Sequence, residues 1–137
     1  QLAQEICKQL EISQIQQQQF ATLSSGEKAL IRFAKTILQG SDLILLDEPT
    51  SHLDYFNKHL IFRKISEYAN KDKKSFLIAM HDPELALRYC THAILLLGGQ
   101  VKRSGSIDEV INSNELSSIF KMKIEVREFD KRKIILV

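Results

Sequence analysis

Residues 43–54 read LILLDEPTSHLD. Four apolar residues run unbroken into Asp47 and Glu48, and Pro49 then stops any regular element. A short, wholly apolar run of this kind predicts a strand buried on both faces in a parallel sheet. Open α/β sheets place their ligands beyond the carboxyl ends of such strands, which is where the two acids fall. An aspartate there can hold Mg²⁺, directly or through water, and a neighbouring glutamate can orient or deprotonate an attacking water. The competing reading is a pair of acids that only caps the following turn. Acids often end strands, but four apolar residues followed by Asp-Glu-Pro-Thr are uncommon, which favours the chemical reading.

Downstream, a helix over 54–70 carries Phe56, Leu60, Ile61, Ile65 and Tyr68 at helical spacing, and SFLIAMH (75–81) repeats the buried-strand pattern. His81 closes that second strand, so it is expected at the same sheet edge as Asp47 and Glu48. A histidine after a strand is more often structural when it stands alone; beside two acids it becomes a candidate for a γ-phosphate contact. His52 reads as a loop residue, His59 as one on a helix face and His92 as one near a strand start. No set of them has zinc-ligand spacing.

Upstream, TLSSGEKAL (22–30) sets Ser24, Ser25 and Gly26 before a helix, with Ser24 or Ser25 as N-cap and Glu27 in the first turn. Small residues at a helix N-terminus suit anion binding through the Ser24 hydroxyl and the amides around Ser25 and Gly26, although S-S-G-E alone is ordinary capping chemistry. The helix turns Leu30, Phe33, Ala34, Ile37 and Leu38 inward, and Gly40 ends it. Before it, residues 2–12 put Leu2, Ile6 and Leu10 on one helical face, and Gln16 to Gln19 form a solvated connection. After residue 81, PELALRYC (83–90) is a helix with Pro at its first position, AILLLGGQVKRSG is a hairpin turning at Gly98-Gly99, and 106–120 holds two short helices. KIEVREFDKRKIILV alternates as an antiparallel pair turning near Asp130-Lys131.

The chain has 137 residues, 44% of them hydrophobic, and a net charge of +2. That is one domain's worth of chain, and its charge is too small to argue for nucleic acid or anionic lipid as a bulk partner. Cys7 and Cys90 are far apart and read as buried reduced thiols, which fits a cytoplasmic setting. The apolar runs at 43–46 and 93–97 are too short to span a bilayer.

Taken together, LSSGE, LILLDEP, SHLD and a strand ending in His81 resemble, in order and approximate spacing, an ABC-type (ATP-binding cassette) ATPase. In that family LSSGE resembles the LSGGQ signature, so Ser24, Ser25, Gly26 and Glu27 would contact ATP held by a partner. Asp47 and Glu48 resemble the Walker-B pair, with Asp47 toward Mg²⁺ and Glu48 catalytic. Ser51, His52, Leu53 and Asp54 resemble the D-loop, and His81 the switch histidine. Ser25 stands where the family usually has a glycine, a change tolerable if its φ stays negative. No G-x-x-x-x-G-K-[ST] occurs in the sequence, and the segment 98–105 has the wrong spacing for one. The chain therefore resembles the C-terminal half of a nucleotide-binding subunit.

What the resemblance implies is a partial P-loop NTPase core of RecA-like ABC type. It would hold a mostly parallel α/β sheet, the end of a helical subdomain over 1–40, the core over 41–97 and a small α+β tail over 98–137. It further implies ATP and Mg²⁺ as ligands, a head-to-tail dimer with a second ATP-binding subunit, and membrane permease subunits at the inner face of the cell membrane. HDPELALRYCTHAILLLGGQVKRSGSIDEVI and the terminal hairpin are similar to importers serving iron-siderophore, haem or cobalamin uptake. The alternatives are a soluble ABC ATPase outside transport, or a non-catalytic dimerisation piece. For the isolated chain the expectations are little ATP binding and, from unpaired apolar edges, self-association.

Overall fold

The computed structural model describes residues 1–130 and 132–137. They divide into two compact units, Gln1–His81 and Asp82–Val137.

The first unit opens with α1 (Leu2–Gln9), which buries Ile6 and leaves Leu2 60% exposed, so the expected inward stripe begins one turn later than Leu2. Two 3₁₀ turns, Ser13–Ile15 and Phe20–Thr22, flank the glutamine run. Helix α2 (Ser25–Leu38) buries Leu30, Phe33, Ala34 and Ile37, whereas Leu38 in its last turn is exposed. Gly40 follows at φ +74°, the left-handed conformation that releases the chain from the helix. Strand β1 (Leu43–Asp47) leads to α3 (Tyr55–Lys71), capped by Asp54, and then to β2 (Ser75–Ala79). The Asp54 carboxylate accepts from the Asn57 amide at 2.8 Å. Phe56, expected inward, lies 54% exposed in the first turn, while Leu60, Ile61 and Ile65 fill the core.

Strands β1 and β2 pair in parallel, Leu45 opposite Leu77 and Asp47 opposite Ala79. Only one face of β1 is buried: Ile44 and Leu46 are inside, but Leu43 and Leu45 are 58% and 65% exposed. The expectation of burial on both faces is thereby corrected. Within the first unit, α3 packs on β2 and α2 on α3. The unbroken apolar run reports two apolar faces, and in these 137 residues the second carries Leu43, Leu45 and Leu77, the last at 55% exposure. Lys74 ties the end of α2 to the sheet, its Nζ donating to the carbonyls of Gly40 (3.1 Å) and Ser41 (2.8 Å).

The second unit contains α4 (Pro83–Tyr89), the β3 (His92–Leu97) and β4 (Gln100–Ser106) hairpin, α5 (Ile107–Val110), α6 (Ser113–Phe120), and the β5 (Glu125–Phe129) and β6 (Arg132–Leu136) hairpin. Asp82 caps α4 through its Oδ1, and Pro83 takes the first helical position. Gly98 and Gly99 at φ +58° and +75° make the two-residue turn between β3 and β4. Residue 131, half of the dipeptide expected to turn the last hairpin, lies outside the described residues. Val110, Ile111, Leu116 and Ile124 form the core here, with Ala93, Leu95, Val126 and Ile135 packed around them. The Glu109 carboxylate accepts from both the amide and the hydroxyl of Ser106, and these bonds hold it below the usual carboxylate range. Unlike β1–β2, both hairpins are antiparallel.

Candidate functional site

At the carboxyl end of β1 the chain does something local rules disfavour. Glu48 has φ +42°, a left-handed conformation for a side-chain-bearing residue that also precedes proline. Such a backbone costs on the order of 1–3 kcal/mol. Three hydrogen bonds oppose it. The Glu48 amide donates to the Ala79 carbonyl at 3.0 Å, extending the β1–β2 ladder by one residue. The Glu48 carbonyl accepts from the Ser51 amide at 3.2 Å and from the Ser51 hydroxyl at 3.1 Å. At about 1 kcal/mol each, these offset the strain.

The Glu48 side chain then meets His81, Oε1 to Nδ1 at 3.2 Å. Their side chains are 50% and 76% exposed, so the pair itself stabilises little. Backbone pairing brings the two residues to the same end of the parallel pair. Asp47, one residue earlier, is exposed at the strand end. The two strand ends thus bring together Asp47, Glu48 and His81, three residues separated in sequence by up to 34 positions.

The serine-glycine loop forms a full capping box. Ser24 is the N-cap, its Oγ accepting from the Glu27 amide at 3.2 Å while Glu27 Oε2 accepts from the Ser24 amide at 2.9 Å. Ser25 is the first helical residue and is absent from the positive-φ positions, so serine sits there without backbone strain. Gly26 lies against the SHLD segment: a Cβ built on it would be 3.5 Å from Leu53 Cδ2 and 4.0 Å from the His52 carbonyl oxygen. Those are ordinary contact distances, so the packing alone does not demand glycine. In SHLD, Leu53 is buried, Asp54 caps α3, and Ser51 and His52 are exposed. A groove of about 370 Å³ runs between α2 and the end of β1, touched by Ser25, Lys28, Arg32, Asp47, Glu48 and Ser51.

Of the other histidines, the His59 ring meets Tyr55 edge-on at 4.4 Å on α3, and in the second unit His92 Nδ1 lies 3.2 Å from the Thr91 hydroxyl. Among the described residues no group of three His, Cys, Asp or Glu side chains could enclose a metal. A magnesium ion that keeps waters and phosphate oxygens needs only one or two carboxylates, and an exposed Asp47 beside Glu48 fits that lesser demand. What the sequence did not reveal is the pair of hydrogen bonds that the Ser51 amide and hydroxyl donate to the Glu48 carbonyl; the only hint was a serine three residues after a pre-proline acid.

Comparison with known proteins places the chain. The family model "ABC transporter" matches residues 1–51. An iron chelatin transport ATP-binding protein, so named as probable, from Helicobacter pylori is 30% identical over 97% of this chain and 52% of its own length. A hemin import ATP-binding protein from Pseudomonas fluorescens is 30% identical over 89% of this chain and 49% of its own. Among solved structures, a transporter described as of metal-chelate ABC type, inward-facing, superimposes with a TM-score of 0.85 over 99% of this chain and 56% of its own, at 22% identity. An ATP-binding cassette solved as a dimer with ADP and phosphate gives 0.72 over 77% of this chain and 46% of its own, at 25% identity. The chain belongs to the ABC transporter family of ATP-binding proteins. It spans about half the length of the curated relatives it matches.

Proposed function

We propose that this chain is the part of an ABC importer's ATP-binding subunit that supplies the hydrolytic carboxylate and the signature loop. The observation that carries the reading is the 3.2 Å contact of Glu48 with His81 at the carboxyl ends of two parallel strands. Glu48 takes a proton from, or orients, the water that attacks the γ-phosphate, and His81 donates to a phosphate oxygen. Asp47 is the residue that would hold Mg²⁺, which when bound neutralises phosphate charge.

The signature residues act on a nucleotide held by a second subunit. The Ser24 hydroxyl accepts the Glu27 amide with a lone pair, and its own hydrogen can still donate to a phosphate oxygen. Ser25 and Gly26 offer amides at the start of α2, and the absence of a Cβ on Gly26 leaves room for close approach. Glu27 orders this loop through the Ser24 amide. Ser51, His52, Leu53 and Asp54 form the D-loop, on which Gly26 rests. In this reading residues 1–40 end a helical subdomain, 41–97 belong to a RecA-like core with a mostly parallel sheet, and 98–137 form the tail.

The working unit is a head-to-tail pair of such subunits attached to permease subunits at the inner face of the cell membrane, with closure on ATP driving the permeases. Names among the relatives, iron chelatin and hemin transport, support an iron-chelate or haem cargo. Among the described residues no helix is long and apolar enough to cross a membrane, so membrane attachment would come through the permeases.

The test is Glu48→Gln in the full-length cassette. Turnover should vanish while ATP binding persists; steady-state hydrolysis at the wild-type rate removes Glu48 from its role.

A further inference from the structure

Glu48 is fixed at each of its backbone polar groups, and one side chain does more of this than its sequence position suggests. The Ser51 hydroxyl and amide both donate to the Glu48 carbonyl, at 3.1 and 3.2 Å, closing the Glu48-Pro49-Thr50-Ser51 turn from the inside of the chain's own path. The amide of Glu48 is meanwhile held by Ala79. Between these anchors φ stays at +42°, and that angle directs the carboxylate to His81 at 3.2 Å. Without the hydroxyl bond, one of two restraints on the carbonyl side is gone, and a non-glycine, pre-proline residue relaxes toward extended backbone. That relaxation turns the Cα–Cβ bond and carries the carboxylate away from His81.

We infer that Ser51 is a positioning residue that acts within its own subunit, setting the direction of the Glu48 carboxylate through the Glu48 carbonyl. The inference rests on the reading of Glu48 as the hydrolytic carboxylate. Thr50, buried at 7% exposure, anchors the turn from beneath: its carbonyl accepts from Leu53 at 3.2 Å, so the Ser51 hydroxyl works on a turn already fixed to the core. Ser51 itself is exposed, which leaves room for a methyl group at its Cβ.

The experiment compares Ser51→Ala, Ser51→Thr and Glu48→Gln in the full-length cassette under steady-state ATP hydrolysis. Ser51→Ala is expected to lower kcat by about 10-fold with KM for ATP unchanged, the signature of a group displaced from its reacting geometry. Ser51→Thr, which keeps the hydroxyl, should restore kcat to within about twofold of wild type. The dependence of specific activity on protein concentration should be the same in the wild type, Ser51→Ala and Ser51→Thr.

An inactive Glu48→Gln together with wild-type kcat in Ser51→Ala overturns this inference and leaves the underlying reading intact. An active Glu48→Gln overturns the reading itself. Equal losses in Ser51→Thr and Ser51→Ala, a raised KM at unchanged kcat, or a shifted concentration dependence each assign Ser51 to another task and also overturn the inference. Should Ser51→Ala fail to fold, Ser51→Cys carries the test, since it keeps the side-chain size and replaces O–H by a weak S–H donor. Wild-type kcat in Ser51→Cys is then the overturning result.

Discussion

The Ser24 hydroxyl accepts the Glu27 amide at 3.2 Å, and the Glu27 carboxylate accepts the Ser24 amide at 2.9 Å. One serine therefore serves the stability of α2 and, in the proposed mechanism, the charge on a partner's phosphate. The two tasks separate by substitution. Ser24→Ala removes the cap and should destabilise the 137-residue chain by about 1 kcal/mol, read from its urea midpoint. Ser24→Asp caps as well as serine does but presents a negative charge to the phosphate. It should keep the urea midpoint and lose hydrolysis in the full-length cassette. Retained hydrolysis in Ser24→Asp would confine Ser24 to capping. Cys90 is a contrasting residue, its thiol pushed up by burial, which suits packing and not reactivity.

Elements were legible where a local rule and the packing agree. Helix α2 begins at its capping box and ends near Gly40, and the β3–β4 hairpin turns on Gly98-Gly99, because caps and left-handed glycines act over a few residues. The meeting of Asp47, Glu48 and His81 was also foreseeable, since a parallel pair aligns the carboxyl ends of its strands. Three features were not. The burial of β1 on a single face depends on what lies across the sheet, which LILL does not encode. Leu2 and Phe56 sit on inward-looking stripes but in first turns, where the stripe outruns its cover. The left-handed Glu48 contradicts its own pre-proline preference and follows only from bonds to Ala79 and Ser51. Local conflict of this sort concentrates at sites where geometry serves chemistry.

For the whole molecule, the uncovered apolar face matters most. Leu43, Leu45 and Leu77 are each more than half exposed on a two-stranded pair, and such pairs are marginal without further strands or cover. The isolated 137-residue chain is expected to self-associate through this face, with sedimentation coefficients that rise with concentration. Leu45→Lys with Leu77→Glu places opposite charges across the ladder, where they pair. That double variant should sediment as a monomer with an unchanged circular dichroism spectrum. Concentration-independent sedimentation of the unaltered chain would contradict the expectation.

The parallel ladder also has a consequence in time. Leu43 can pair with Ser75 only after 31 intervening residues, α3 among them, have been brought round, whereas the β3–β4 hairpin closes across two. Loop closure over the longer span delays the reward of its contacts, so rates fall as pairing becomes less local. In refolding followed by pulsed hydrogen exchange, amides of β3 and β4 should gain protection first and those of β1 and β2 last. The Glu48 amide, bonded to Ala79 at the far end of that ladder, should be among the latest of all. On this schedule the carboxylate takes its bearing only when the rest of its unit is already built.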